Sequence, residues 1–237
     1  MPDSLQGKQI VLAGGSGGLG SATAAHLAGI EARLIVSYLS NRERAETLSP
    51  IARLLQADLR LEQDRTRLLD AAEELFGLVV FTGSPARLTD PAEAMQLSYE
   101  TNYLGPILLA REAAARMRKD AIPGSIVLIS TMQAAALFSG STAYAAPKAA
   151  LLHAARILAK ESRGPSGIRV NVICPGVNQA GMAEASIAAG KYDRYIEEGQ
   201  IPRFGRAIDV ARAVHFFLQP DNYITGQVLT VDGGLTL

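Results

Sequence analysis

Short apolar runs alternate with longer amphipathic stretches along the chain. The apolar runs are rich in β-branched residues and show little polar–apolar alternation, which is typical of strands buried on both faces of a parallel sheet. We predict strands at Lys8–Ala13, Arg33–Tyr38, Ile51–Ala57, Leu78–Thr82, Ser125–Ser130, Ile168–Cys174 and Gln227–Val231. Apolar residues at helical spacing predict helices at Gly18–Ala28, Pro91–Met117 (kinked at Gly105-Pro106), Ala143–Ser162 and Ala207–Leu218.

The alternation of strands and helices predicts right-handed crossovers and a doubly wound α/β fold, with a seven-stranded parallel sheet flanked by helices. No low-complexity linker divides residues 1–237, so we expect a single domain. Ligands of such sheets bind beyond the carboxyl ends of the strands. We therefore expect the chemistry in the segments that directly follow each strand.

Composition narrows the class of protein. Hydrophobic residues make up 48% and charged residues 19% of the chain, which provides for a large core. The formal net charge of zero argues against a nucleic-acid partner, and no apolar run is long enough to span a membrane. Cys174 is the single cysteine, and His26, His153 and His215 are scattered through predicted helices, so we expect no disulfide and no metal site. The polar start, Met1–Lys8, is no secretory signal, and we expect a cytoplasmic protein.

A glycine-rich turn joins the first predicted strand to the first helix. It contains Gly14, Ser16, Gly17, Gly18, Leu19 and Gly20. Glycines permit a tight turn and let a diphosphate approach the backbone, while the N-terminus of the following helix favours an anion. The alternative is a tight turn without a ligand. The position of the glycine-rich turn, between a strand and a helix near the start of an α/β chain, favours dinucleotide binding.

The spacing of Gly14, Gly18 and Gly20 resembles that of the short-chain dehydrogenase/reductase family. The resemblance extends to the C-terminal stretches Ile224–Gln227 and Val231–Gly234. It implies a Rossmann fold and a nicotinamide-dependent oxidoreductase acting on a small carbonyl or alcohol. The chain looks most similar to reductases of 3-oxoacyl thioesters, which implies a thioester-linked substrate as one option and a homo-oligomer, either a tetramer or a dimer.

The end of the second predicted strand bears on the choice of cofactor. An acidic residue there holds the ribose hydroxyls of NAD, whereas a cation suits the phosphate of NADP. No acidic residue occurs at positions 36–42, and Tyr38 stands where NAD-preferring members of the family have aspartate. The candidates to hold a phosphate are Ser40, Asn41 and Arg42, with the alternative that Arg42 is an exposed charge at the start of a helix. We therefore expect NADP(H), with NAD(H) as the alternative.

Asp58, followed by Leu59, matches the family position that contacts adenine, or it caps the next helix.

Tyr144 and Lys148 lie four residues apart in a predicted helix and so share one face. A free phenol is too weak an acid to exchange protons near neutral pH, but a nearby ammonium and a positive nicotinamide ring favour its ionised form. Tyr144 is then able to exchange a proton with a carbonyl or alcohol oxygen during hydride transfer. Such a pair also occurs by chance in ordinary helices, so the interpretation depends on the residues around it.

The resemblance implies further site residues. In the family, a serine about thirteen residues before the tyrosine hydrogen-bonds the substrate. That count leads to Thr131, which keeps the hydroxyl, with Ser130 as the alternative. Asn102 matches the residue that holds a relay water at a helix irregularity. The residues expected beside the nicotinamide are Pro175, Gly176 and Asn178. Ala180 replaces a threonine that is frequent in the family, which puts one cofactor contact in doubt.

One segment departs further from the family. Relatives have Asn-Asn-Ala-Gly after the fourth strand, where this chain has Val80–Gly83, with Thr82 and Gly83 as the expected cofactor contacts. The apolar stripe in the variable segment 181–205 suits a helical substrate lid, and it equally suits a helix packed permanently on the sheet. We expect an NADP(H)-dependent reductase or dehydrogenase. The alternative is a nucleotide-binding regulator or scaffold that has lost catalysis. The absence of a Gly-x-Ser-x-Gly elbow argues against a serine hydrolase.

Overall fold

The computed structural model describes residues 4–85 and 87–237. The strands are β1 (Gln9–Ala13), β2 (Arg33–Tyr38), β3 (Ala52–Gln56), β4 (Leu75–Val80), β5 (Ser125–Ile129), β6 (Arg169–Pro175) and β7 (Val228–Val231). The α-helices are α1 (Gly18–Ala28), α2 (Arg42–Glu46), α3 (Glu62–Asp70), α4 (Pro91–Tyr99), α5 (Gly105–Lys119), α6 (Thr142–Glu161), α7 (Glu184–Ala188), α8 (Arg194–Glu197) and α9 (Ala207–Leu218). A π-helical segment spans Glu100–Leu104, and short 3₁₀ turns span Met132–Ala134 and Gly181–Ala183. Residues 1–3 of the polar start considered above lie outside the described residues.

The strands form a seven-stranded parallel sheet in the order β3-β2-β1-β4-β5-β6-β7. This confirms the predicted doubly wound α/β architecture. The strand order reverses between β1 and β4, so a crevice is expected there at the carboxyl ends of the strands. The residues that follow these two strands and their neighbours therefore define the region where a ligand binds.

Helices cover both faces of the sheet. On one face, α3, α5 and α6 bury residues such as Leu109 and Leu151 against the strands. On the other face, α1 and α9 bury residues such as Leu27 and Val214. Because both faces are covered, the central strands β1, β4, β5 and β6 are buried along their whole length. This explains why the apolar runs in the sequence lack polar alternation.

The fourth strand begins earlier than predicted. It spans Leu75–Val80 rather than Leu78–Thr82. The prediction began after Gly77, since glycine usually interrupts a strand. Here a Cβ at Gly77 would lie 3.0 Å from the Ile10 side chain and 3.2 Å from that of Leu218. The glycine is therefore part of the strand and allows α9 to pack closely on the sheet.

The predicted helix Pro91–Met117 is divided, but not at Gly105-Pro106. The irregularity is the preceding π-helical segment, in which the N–H of Gly105 bonds to the carbonyl of Glu100. Pro106 lies in the first turn of α5, where a missing N–H is tolerated. The predicted kink is thus displaced toward Asn102, which lies within the π-helical segment.

The prediction that the histidines are scattered is wrong for one pair. His26 on α1 and His215 on α9 approach to 3.1 Å between ring nitrogens, because the two helices pack side by side on one face of the sheet.

In residues 4–85 and 87–237, no group of three or more His, Cys, Asp or Glu residues is placed to hold a metal ion. Within the same residues, no helix combines the length and apolar character that crossing a membrane requires.

Candidate active site

The glycine-rich turn lies at the carboxyl end of β1, in contact with the ends of β2 and β4. Gly14 has a φ of 69°, and its N–H donates to the Ser37 hydroxyl at 2.9 Å. A Cβ on Gly14 would lie 2.8 Å from the Thr82 side chain. A Cβ on Gly20 would lie 2.5 Å from the Cα of Gly15. Glycine is therefore required here both by backbone conformation and by close packing.

The N-terminus of α1 opens onto the same edge of the sheet. The helix begins at Gly18, and Gly17 before it supplies no side-chain cap. The carbonyls of Ser16 and Leu19 accept hydrogen bonds from hydroxyl groups further along the helix, at 3.0 Å and 2.8 Å. A long helix whose first N–H groups have no side-chain cap is well suited to bind a phosphate.

The residues expected to select the cofactor lie at the start of α2. The Asn41 side chain caps this helix by accepting a backbone N–H at 2.9 Å. Arg42 donates to the Glu46 carboxylate at 2.7 Å, and this hydrogen bond raises the pKa of Arg42. Ser40 is exposed and Tyr38 is half-buried. A phosphate bound at this point would compete with Glu46 for the guanidinium.

Asp58 closes a local turn instead of capping α3. Its carboxylate accepts hydrogen bonds from the Arg60 guanidinium at 2.6 Å and from the Arg60 N–H at 3.0 Å, and these bonds lower the pKa of Asp58. The N-cap of α3 is Leu61, so the capping alternative is wrong, because the Asp58 turn ends before the helix starts. Leu59 is buried, and its carbonyl accepts a hydrogen bond from a buried arginine of α3 at 2.9 Å.

Tyr144 lies in the first turn of α6, where the Thr131 side chain is near enough to its phenol to lower the pKa of that group. Burial raises the pKa of Tyr144 to about 12, and the nearby Thr131 side chain offsets part of that increase. The pKa thus moves in the direction opposite to the one expected from Lys148. The cause is the desolvation of the phenol, which disfavours its ionised form.

Lys148 lies one turn further along α6 and is only 2% exposed. Its ammonium donates to the carbonyls of Thr82 at 2.9 Å and Ile129 at 2.8 Å, which follow β4 and end β5, respectively. Burial lowers the pKa of Lys148 to about 8. The amine is therefore directed at the carboxyl edge of the central strands and is held there by two peptide carbonyls.

Ser130 faces away from the phenol. Its hydroxyl donates to the Lys148 carbonyl at 3.0 Å. Cys174, beside it, is buried, and burial raises the pKa of its thiol. Of the two candidate hydroxyl groups, only that of Thr131 is directed at Tyr144.

The Asn102 side chain anchors the connection that follows β4. Its Oδ1 accepts the N–H of Ser84 at 3.0 Å, and its Nδ2 donates to the Ser84 carbonyl at 2.8 Å. A Cβ on Gly83 would lie 3.3 Å from Asn102 Oδ1 and 3.5 Å from Lys148 Nζ. The glycine therefore allows Asn102 and Lys148 to lie on either side of it.

Ser98 belongs to this network and was missed by the sequence analysis. Pro147 lies inside α6 and lacks an N–H, which leaves the carbonyl of Ala143 without its helical donor. The Ser98 hydroxyl donates to that carbonyl at 2.6 Å and accepts a hydrogen bond from Asn102 at 2.8 Å. The proline inside a predicted helix was the available signal, because it requires a substitute donor.

The departure at Val80–Gly83 preserves the packing of the strand. Val80 is buried in the core on one face of the sheet, and Phe81 packs against the core on the other. Thr82 supplies the carbonyl that holds Lys148, while its own buried hydroxyl has no hydrogen-bond partner among residues 4–85 and 87–237. Two apolar side chains thus replace the family's asparagines without disturbing β4.

The segment after β6 forms a tight turn. A Cβ on Gly176, next to Pro175, would lie 2.6 Å from the Cβ of Asp232. The Asn178 side chain is 4% exposed and donates to the Gly176 carbonyl at 2.9 Å, whereas its Oδ1 has no partner. The backbone of Asn178 also forms a bridge with Gly205. The two ends of segment 181–205 are thereby held close together.

Segment 181–205 contains α7 and α8 rather than one long helix. Its start lies directly on the glycine-rich turn. A Cβ on Gly18 would lie 2.6 Å from the backbone nitrogen of Gly181 and 3.1 Å from the Ala180 side chain. The segment therefore covers the same crevice that the strand order defines.

The donor groups of the crevice fit a dinucleotide. Among residues 4–85 and 87–237, three buried side-chain polar atoms lack a hydrogen-bond partner, and two of them, Thr82 Oγ1 and Asn178 Oδ1, belong to this site. Such atoms require an explanation, which ligand hydroxyl and amide groups would provide. A turn that a Cβ would block and the uncapped N-terminus of α1 fit a diphosphate. The fold and site therefore define a Rossmann-type nucleotide-dependent oxidoreductase.

Comparisons with known proteins agree with this class. A sequence model of the family described as Enoyl-(Acyl carrier protein) reductase matches residues 13–236. The chain is 30% identical to an NADPH-dependent aldehyde reductase-like chloroplastic protein of Arabidopsis thaliana, over 98% of this chain and 96% of that protein. It is 34% identical to a 3-oxoacyl-[acyl-carrier-protein] reductase of Bos taurus, over 94% of this chain and 96% of that protein.

A solved structure supports the same assignment. A 7α-hydroxysteroid dehydrogenase in complex with NADH and 7-oxo glycochenodeoxycholic acid superposes with a TM-score of 0.89 and 28% identity, covering 98% of this chain and 95% of that one. The chain belongs to the short-chain dehydrogenase/reductase family.

Proposed function

We propose that the protein is an NADP(H)-dependent oxidoreductase that transfers a hydride between the nicotinamide and a small carbonyl compound or secondary alcohol. The observation that carries the proposal is the arrangement of Thr131 against Tyr144, with Lys148 one turn further along α6 at the same edge of the sheet. Reductases and dehydrogenases among the relatives support this reaction class.

The nicotinamide, when bound, supplies or accepts the hydride. The hydroxyls of Thr131 and Tyr144 would hold the substrate oxygen, and Tyr144 would donate a proton to it in reduction or remove one in oxidation. Lys148 would hold a ribose hydroxyl and favour the ionised phenol by its charge. Asn102 would connect Lys148 to solvent through a water near Gly83.

Each part of the dinucleotide has candidate partners in the chain. The diphosphate would lie on the glycine-rich turn, and adenine beside Asp58 and Leu59. Thr82 and Gly83 would border a ribose. The remaining contacts, to the nicotinamide, would come from Pro175, Gly176 and Asn178. The two unpartnered buried atoms, one on Thr82 and one on Asn178, support this placement.

The preference for NADP(H) rests on charge. Residues 36–42 contain no carboxylate and include Arg42, which suits a phosphate. Relatives from Arabidopsis thaliana carry NADPH in their names, whereas the steroid dehydrogenase was solved with NADH. NAD(H) therefore remains the alternative.

Fluorescence titration with NADPH and NADH tests this proposal. We expect wild type to bind NADPH about tenfold more tightly than NADH, because Arg42 adds a charge-assisted hydrogen bond. Arg42→Ala should remove the difference, and Glu46→Gln should strengthen NADPH binding alone by freeing the guanidinium. Equal affinities in wild type would contradict the preference, and no binding of either nucleotide would contradict the proposed function.

A second candidate is a nucleotide-binding regulator or scaffold that does not catalyse. The altered Val80–Gly83 segment and the high pKa of Tyr144 favour it. Tight nucleotide binding without turnover of any carbonyl compound would support this candidate. Turnover that depends on Tyr144 would exclude it.

We also propose a homo-oligomer, a dimer or a tetramer. Met95 and Tyr99 on α4 and Leu104 beside α5 are 49%, 43% and 37% exposed, an apolar surface typical of an interface. Light scattering coupled to size exclusion should give a multiple of the chain mass, and Met95→Glu should shift it toward the monomer. The expected cytoplasmic location remains a prediction.

A further inference from the structure

The segments on either side of Tyr144 carry no ionisable side chain. Residues 131–143 and residues 175–182 contain no Asp, Glu, Lys, Arg or His. Thr131 lies beside Tyr144, and its neighbour Met132 packs with Val177 in one apolar cluster, so the two segments meet beside the phenol. A group attached to a carbonyl carbon at Tyr144 would therefore lie against uncharged walls.

Segment 181–205 adds a third apolar wall. Phe204 is buried and Tyr192 and Tyr195 are half-buried against the same cluster. We call this the lid cluster, with Met132, Phe138, Val177, Tyr192, Tyr195 and Phe204 as its main members. It joins the lid to the segments that follow β5 and β6, and its members are aliphatic and aromatic side chains.

The charges of the lid point outward. Lys191 lies over the ring of Tyr192, 5.4 Å from its centre, and Arg194 lies over Tyr195 at 5.2 Å. Every charged residue of segment 181–205 is exposed. Arg203 is paired with Asp209, which follows the segment, at 2.7 Å. No lid cation is thus buried on the side of Tyr144.

We propose that this site accepts uncharged, apolar aldehydes and ketones and discriminates against substrates with a negative charge next to the reacting carbonyl, such as 2-oxo acids. This inference rests on the proposed function and names its substrate class. A carboxylate entering the site would lose its water, and the one ammonium described there, that of Lys148, already donates to the carbonyls of Thr82 and Ile129, so the burial of the charge is costly. A phenyl or alkyl group in the same place would gain apolar contact with the lid cluster.

One exposed cation outside the lid needs a control. Arg87 lies in the connection between β4 and α4 and is exposed. If the Arg87 side chain folded over the site, its guanidinium would bind an anion, so the Arg87→Ala variant is included in the test. We expect Arg87→Ala to leave the preference for neutral substrates unchanged.

A matched substrate pair tests the role of charge. Methyl benzoylformate and benzoylformate share the phenyl ketone, and the ester has an uncharged methyl ester in place of the carboxylate. We expect kcat/KM to be about 100-fold higher for the ester, because the acid leaves a desolvated charge unpaired. Each reaction moves a hydride to the ketone carbon and a proton to its oxygen, so the loss of NADPH absorbance reports both.

A matched residue pair tests the lid cluster. Methyl benzoylformate and methyl pyruvate differ in a phenyl against a methyl group, and we expect wild type to prefer the phenyl compound about tenfold in kcat/KM. Tyr195→Ala should abolish this preference. Tyr223→Ala is the control, because Tyr223 is fully exposed and lies outside the cluster.

The outcomes separate the two proposals. If wild type reduces the acid with the same kcat/KM as the ester, the substrate inference fails and the proposed function stands. The same holds if wild type prefers the acid and Arg87→Ala abolishes its turnover. If nucleotide binds but neither ester is reduced, the inference also fails. If no nucleotide binds, the proposed function fails and the inference fails with it.

Discussion

The Lys148 ammonium donates to the carbonyl of Thr82 at 2.9 Å, so α6 is joined to the end of β4 by a buried charge. A second carbonyl, that of Ile129, accepts from the same amine at 2.8 Å. Peptide dipoles only partly replace the lost water, which is why burial lowers the pKa of Lys148 to about 8. This contact makes the stability of the fold depend on pH.

The free energy of unfolding should rise with pH between about 8 and 10.5. In this range the unfolded chain keeps a proton on Lys148, whose ordinary pKa is 10.5, while the folded chain has released it. The unfolded state then binds more protons, so stability increases with pH, by on the order of 3 kcal/mol over the whole range. Urea unfolding at about pH 7.5 and about pH 9.5 measures the change.

Lys148→Met is the matched variant for this measurement. It removes the titrating group, so its stability should increase less than that of wild type over the same interval. Between about pH 7.5 and about pH 9.5, Tyr144 is protonated in both states and does not contribute to the change. Because folding raises its pKa from 10 to about 12, Tyr144 makes the free energy of unfolding fall with pH only above about pH 10. The same increase in both proteins would show that Lys148 is not the source.

Thr131 should contribute mainly to activity, and Ser130 mainly to the stability of the fold. Thr131→Val keeps the shape but removes the hydroxyl beside Tyr144, and kcat/KM should fall about 100-fold, with Thr131→Ser retaining most activity. Ser130→Ala removes the bond to the Lys148 carbonyl and should cost about 1–2 kcal/mol of stability with little change in kcat. The reverse pattern would assign the catalytic hydroxyl to Ser130.

Two glycines of one turn should respond differently to alanine. A Cβ on Gly20 would lie 2.5 Å from Gly15, whereas the nearest atom to a Cβ on Gly17 is 3.7 Å away. We expect Gly20→Ala to lower the free energy of unfolding by about 2 kcal/mol or more, and Gly17→Ala to leave it nearly unchanged. Urea unfolding without added nucleotide measures both. Equal stabilities would contradict the close packing of α1 on the turn.

The His26–His215 contact should make the fold less stable in mild acid. Burial and the neighbouring His26 lower the pKa of His215 below its ordinary 6.5. As the pH falls through this region the unfolded chain takes up a proton that the folded chain resists, so stability is lost. The His215→Gln variant should lose less stability than wild type when the pH is lowered from about 7.5 to about 5.5. His153→Gln, at an exposed position on α6, should behave like wild type.

The strands and long helices were predictable because they bury apolar side chains at regular spacing. The bounds of β2, α1 and α9 agree with the prediction. The bounds of the short helix α2 were not predicted, because only Ala45 of its five residues is buried. The start of β4 was misplaced because the sequence alone does not show that α9 requires glycine at position 77.

The chemistry of the site was predictable as a set of residue types but not as a network. The spacing of Tyr144 and Lys148 indicates one helix face, and both do lie at the carboxyl edge of the sheet. Their pKa values depend on burial and on carbonyls from other strands, which no spacing reveals. Ser98 was missed for the same reason, because the carbonyl it serves lies 45 residues away in the chain.

The most direct test of the proposed role of Tyr144 is a single-turnover measurement of NADPH oxidation in wild type and Tyr144→Phe, with methyl benzoylformate as substrate. The account predicts that the variant binds NADPH with unchanged affinity but oxidises it about 100-fold or more slowly, because the proton donor is gone. Equal single-turnover rates in the two proteins would contradict the account.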